Sequence, residues 1–350
     1  SIHAVSIERT RQMNRLPPLW IAFWVAVGLS ILATLAILLL NPVLRQIELL
    51  PDQGAAWYYW KLPEPTFWTR VTAWGFYLAH QLFFWGLIRW AVTNRERLRD
   101  RRVLHPVNWI GLAGTGFFVA LHYLQTAVWY DGLAQDTSVF SSQISVIFLL
   151  VIVLIMEAPR RGIAFGRGGK WLAPARQWLI RYHGYYFAWA VVYTYWFHPM
   201  ETTPGHLLGF LYTFLLLLQG AFVFTRVHTN KWWTAVLEVS VLVHGVTVAL
   251  VAGQEFWPMF FFGFAALFVV TQMHGLGLPK WVHWIVYAAF AGGVWLVYAD
   301  RGWSNVNEVF RIPIIDYGLV LVLGGALVLV LWLIRRRRSQ RSANTSKGSG

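Results

Sequence analysis

The chain has 350 residues, of which 57% are hydrophobic and 13% charged, whereas a soluble domain carries about a quarter charged residues. That composition leaves no room for a sizeable water-soluble domain and points to an integral membrane protein. The absence of cysteine excludes disulfides, thiolate metal sites and a cysteine nucleophile.

Residues 1–18 form a basic arm containing Arg9, Arg11 and Arg15. Ten apolar runs follow, at 19–41, 67–91, 107–130, 140–158, 177–198, 205–227, 233–252, 256–275, 281–299 and 314–334. Each is long enough to cross a ~30 Å hydrocarbon core at ~1.5 Å per residue. The expected fold is all-α and polytopic, with about ten transmembrane helices. No small-residue cleavage site ends the first run, so it is expected to be a retained helix.

Within the membrane, helices 1–4 (19–158) carry few ionisable groups, namely His80, His122, and Glu157 at an exit. The loop after the first run, 43–66, is aromatic and proline-rich, and its "AAWYYW" suits an interfacial segment or the cap of a cavity. A Gly-rich basic loop spans 159–176, whose "GRGGK" lacks the four-residue spacer and the hydroxyl of a P-loop. Helices 5–8 (177–275) carry many ionisable groups and form the expected working bundle. Helices 9–10 (276–334) return to plain apolar sequence, and the basic tail 335–350 is expected to be disordered.

The net charge of +14 would suit nucleic acid, but the basic residues alternate by loop. With the N-terminus cytoplasmic, 24 lie inside, leaving Arg45, Lys61, Arg70, Arg301 and Arg311 outside. This is the positive-inside pattern, which sets both termini in the cytoplasm of a bacterial-type inner or plasma membrane. Topology and attraction to anionic headgroups account for the basic runs without nucleic acid. The expected partners are the lipid bilayer, a lipophilic small molecule and other membrane proteins.

A charge at the centre of a bilayer costs roughly 2.5–3.5 kcal/mol on insertion scales, so each ionisable group needs a partner. Span five runs outward and span six returns, which sets His198 and His206 face to face at the outer rim with Glu201 between them. The same antiparallel pairing brings His183 near Arg226 and His228 at the inner end. Spans seven and eight add Glu238, Gln272 and His274 to the inner layer, and Gln254 and Glu255 to the outer one, with His244 near mid-depth.

Two candidate clusters result. The inner one holds His183, His228, Glu238, Gln272 and His274, with His183, Glu238 and His274 as candidate catalytic acids and bases. The outer one holds His198, Glu201 and His206, within the segment "WFHPMETTPGH" (196–206), and Glu255 from the turn between spans seven and eight. Both offer imidazole and carboxylate ligands, His183, His228, Glu238 and His274 inside and His198, Glu201 and His206 outside, suited to a transition metal. A haem would need two facing imidazoles, from His183 with His228 or His274, or from His80 with His122.

Plainer readings stand beside these. The prolines of the 196–206 segment mark a turn with Thr202 or Thr203 as N-cap, and its polar groups suit a solvated rim. Glu238 is placed to pair with Arg181 or Arg226. His80 and His122 read as hydrogen-bonded core histidines. Three functions follow: a membrane-embedded enzyme or redox protein acting on a lipophilic substrate, a proton-coupled transporter using Glu238, His244 and His274, or a non-catalytic subunit of a membrane complex.

Overall fold

The computed structural model describes residues 18–51, 60–251, 253 and 255–347. The basic arm, most of "AAWYYW" and Gln254 lie outside the described residues. Among those described, the long elements are all helices: α1 Pro18–Ala36, α2 Phe67–Thr93, α3 Pro106–Val128, α4 Val139–Arg161, α5 Ala173–Tyr195, α6 Pro204–Ala221, α7 Lys231–Val251, α8 Trp257–Val270, α9 Lys280–Arg301 and α10 Glu308–Lys347. Each overlaps one of the ten apolar runs, although α6 and α8 stop short of the expected ends and α10 overruns its own. Eight of the helical stretches are long and apolar enough to cross a membrane; α2 and α5 are interrupted by His, Gln, Arg and Tyr and are not among them.

Local sequence sets the helix starts. Thr66, Ser138 and Thr203 cap α2, α4 and α6 with side-chain oxygens that accept backbone N–H groups. Pro106 and Pro204 open α3 and α6, where a missing N–H costs nothing. The tail departs from its expected disorder: α10 continues through Arg335–Arg338 to Lys347. No glycine or proline interrupts residues 335–347, so nothing breaks the helical hydrogen bonding.

The chain forms two compact units, residues 1–136 with 191–234, and residues 137–190 with 235–350. One boundary falls just before α4 and the other two inside α5 and α7, a division different from the grouping of helices 5–8 as one bundle.

In the first unit α1, α2, α3 and α6 alternate in direction. Phe118 of α3 stacks on His80 of α2, Gly111 of α3 meets Ala221 of α6, and Phe23 near the start of α1 meets Phe222 after the end of α6. Asn108, fully buried, donates to Ala221 O and Val223 O at 2.8 Å each, satisfying carbonyls at the end of α6. Ser30 and Thr34 of α1 return their hydroxyls to carbonyls four residues back.

In the second unit α10, 40 residues and about 60 Å long, is the spine. Its first part runs parallel to α8: Ile312 closes on Gly263, and Tyr317 bonds Thr271 at the end of α8. Its next part runs antiparallel to α4, with Ile155 and Leu172 against Gly324 and Phe148 near Leu327. Strict alternation of ten spans would make α4 and α10 parallel, so α4 departs from that scheme. The 14-residue α8 covers only part of α10 and leaves the rest for α4 and α5. Large apolar side chains stay uncovered along α9, among them Trp281, Trp284, Trp295 and Leu296, as in a helix that faces lipid.

Candidate functional site

The 196–206 segment sits at one end of the first unit, clamped beneath two other loops. Leu133 N and Ala134 N donate to Trp196 O and Phe197 O at 3.0 and 2.8 Å, and Met200 N donates to Thr126 Oγ1 at 3.0 Å. Gly132 permits this approach, because a Cβ there would stand 2.6 Å from both His198 Cα and Phe197 O. Arg70 braces the middle loop through Asp131 at 2.6 Å and through Asp136, which also accepts Trp74 Nε1 at 2.8 Å. Gln135 in turn exchanges two hydrogen bonds with the backbone of Leu62.

Under these loops lie the outer-cluster residues. Thr203 is the N-cap of α6, and its hydroxyl meets His206 Nδ1 at 2.7 Å. The rings of His198 and His206 are 4.6 Å apart and perpendicular, and His206 packs edge-on to Trp60 at 4.2 Å. Glu201 turns to Tyr130, whose hydroxyl donates to Oε1. Burial pushes the Glu201 carboxyl above its ordinary range, against the opposing hydrogen bonds of Tyr130, Trp60 and the Thr202 backbone. Asp131 is raised by burial as well, against the pull of Arg70. For Asp136 burial also acts upward, but the bonds from Trp74 and Arg70 outweigh it and the net shift is down.

The cluster continues inward. Trp196 links its two deeper histidines: its indole N–H donates to His80 Nδ1 at 3.0 Å, and its ring stacks on His122 at 4.3 Å. Accepting at Nδ1 places the proton of the neutral His80 ring on Nε2. Phe118 stacks on His80 at 4.0 Å, while Tyr195 and Phe210 edge His122. Counting rises of ~1.5 Å from the loop end, His122 lies ~9 Å down α3 and His80 ~20 Å down α2.

Both histidines are fully buried, yet His80 Nε2, both nitrogens of His122 and both amide ends of Gln81 and Gln125 find no hydrogen-bond partner among the described residues. The His198 backbone approaches the His122 ring without reaching hydrogen-bond geometry. Each buried orphan costs ~1–3 kcal/mol, and such groups are uncommon in folded proteins. Reading His80 and His122 as hydrogen-bonded core histidines therefore needs correction for His122. His80 is satisfied on one side only.

The inner cluster is arranged differently from expectation. Glu238 is held by Arg161, in two bonds of 2.7 Å, rather than by Arg181 or Arg226. Gly162, at φ +70°, turns the chain immediately after Arg161 and directs the loop back toward Thr271–Gly275. His274 stacks on His283 at 4.9 Å and meets Tyr287, while His183 caps Ile180 O of its own helix at 2.9 Å. His228 belongs to the first unit, where it binds Gln219 O at 2.8 Å.

Neither expected metal-ligand set assembles. Among the described residues no group of three or more His, Asp or Glu is placed to hold a metal ion. The inner ligands are drawn to local partners, and in the outer set the Glu201 carboxylate is turned to Tyr130. His80 and His122 do not face one another across a slot as haem ligands would, because the Trp196 indole bonds one and covers the other.

Sequence reasoning missed Tyr130, Trp60 and Trp196 as parts of the site, and read Gln81 and Gln125 only as neighbours of core histidines. A usable signal was present: the i, i+3 pair His122 and Gln125 shares a helix face with Phe118, a polar stripe unusual inside a span. No family model, curated protein or solved structure matches the chain.

Proposed function

We propose that the chain is a multi-pass integral membrane protein, of a bacterial-type inner or plasma membrane, and that the first unit carries an acid–base site opening from the extracytoplasmic end. The arginine-bearing loops at its opposite end set that orientation by the positive-inside rule. Glu201 and Tyr130 form the proton-exchanging pair, and His198 and His206 are the imidazoles beside it. His122, His80 and the two glutamines supply hydrogen bonds to a ligand that inserts among Phe118, Trp196 and Phe210. The substrate class is lipophilic with a polar, exchangeable head, because aromatic rings dominate around the histidines and the Glu201–Tyr130 pair lies at the loop end.

The observation that carries this reading is the run of orphaned buried nitrogens and amides directly beneath the Glu201–Tyr130 pair. A fold gains nothing from unpaired imidazoles, whereas a ligand would satisfy them. The carrier alternative needs a Glu238 that titrates freely, and both of its oxygens are engaged by Arg161.

The test is a comparison of total lipid extracts incubated with purified wild type, Glu201→Gln and His198→Phe, profiled by untargeted mass spectrometry. The expected result is at least one lipophilic species consumed by the wild type alone. Identical profiles across all three proteins would remove the enzymatic reading.

A further inference from the structure

The opposite end of the first unit holds a second polar feature, independent of the histidine cluster. A cleft of about 500 Å³ is lined by Arg99, Asp100, Arg101, Arg102 and Arg226. Two segments build it, the α2–α3 loop and the segment after α6, and they are tied together. Arg226 N donates to Arg101 O at 2.8 Å, and the Arg101 guanidinium returns bonds to Thr229 Oγ1 at 2.8 Å and Thr225 O at 3.3 Å.

The charges around this cleft do not balance. Arg99 is paired with Glu96, and Asp100 accepts the Arg102 backbone N–H at 3.0 Å. Among the described residues no carboxylate forms an ion pair with Arg101, Arg102 or Arg226. Three guanidinium groups from two segments thus border one hollow with a single exposed carboxylate beside them. The positive-inside pattern requires arginines on these loops, but it does not require them to converge or to be cross-braced. Convergence raises their mutual repulsion, which an anion in the cleft would relieve. A guanidinium fork matches phosphate oxygens two at a time.

We propose that this cleft is a binding site for a phosphate-bearing anion, with Arg102 and Arg226 as its principal contacts and Arg101 as the brace that holds the two segments together. Its position at the end of the helices suits a lipid headgroup, and the same chemistry would take a soluble phosphate.

The experiment uses the full-length protein. In detergent, phosphatidylglycerol is titrated and retained adducts are counted by native mass spectrometry; in phosphatidylcholine nanodiscs, inorganic phosphate is titrated by calorimetry. The variants are Arg102→Gln/Arg226→Gln, the charge-preserving Arg102→Lys/Arg226→Lys, and a tail control, Arg335→Gln/Arg336→Gln, that removes the same charge elsewhere. The expected result is at least about tenfold weaker binding of one probe in the glutamine variant, a smaller loss in the lysine variant and little change in the tail control. Loss confined to phosphatidylglycerol assigns a headgroup, and loss of phosphate binding assigns a soluble anion. The proposal is overturned if both cleft variants bind both probes as the tail control does; should the glutamine variant not fold, the lysine variant alone decides.

Discussion

Two buried polar sets, one in each unit of this protein, are arranged in opposite ways. In the second, Arg161 and Glu238 are 1% and 6% exposed and meet in a two-point ion pair that leaves the carboxylate fully engaged. In the first, His80, Gln81, His122 and Gln125 are equally deep, yet most of their polar side-chain atoms find no hydrogen-bond partner among the described residues. A closed pair holds helices in register and exposes nothing to a ligand. An open set retains hydrogen-bonding capacity that something outside the chain can take up. The difference separates a structural joint from a candidate site, although both consist of residues that a membrane helix normally avoids.

The sharpest break of that comparison is Glu238→Gln, which strands the Arg161 charge in the interior and is expected to cost ~3–5 kcal/mol in detergent unfolding. The double replacement Arg161→Met/Glu238→Leu should recover most of that loss. Gly132→Ala comes next: its Cβ would collide with the His198 backbone, and a loss of ~1–3 kcal/mol is expected, with faster hydrogen exchange across 196–203.

His122→Phe should have a smaller effect of the opposite sign. Removing two orphaned nitrogens while keeping an aromatic ring is expected to leave the melting temperature unchanged or raise it, by the equivalent of ~1 kcal/mol. A marked fall in melting temperature would show that His122 is structural after all.

The smallest expected effect is the pH response of Glu201. Its folded carboxyl titrates above the ordinary value of 4.5, so its contribution to stability is complete below about that pH and is lost as pH rises through the raised value. Wild type should therefore lose stability relative to Glu201→Gln over that interval, read as the difference between two melting curves. Asp131 is raised in both proteins and cancels in the difference.

The helices were legible from hydropathy and from their caps. Thr203, Pro204 and the apolar run after them mark the start of α6 unaided, because capping and periodicity act within a few residues. The proximity of His198 to His206 was also legible, since a short turn between antiparallel helices forces it. The partner of Glu238 was not. Arg161 stands at the end of α4 in a basic run that reads as loop, and only the tertiary packing brings it to Glu238 on α7.

Composition, hydropathy and local capping are short-range properties, and they determined that this is a helical chain and where most of its helices begin. Which polar groups find partners depends on contacts between segments 70 to 120 residues apart. The fold alone decided that Glu238 would be satisfied by Arg161 and that His122 would meet Trp196 instead of a hydrogen-bond partner, because packing many helices sets such distances and no local rule contains them.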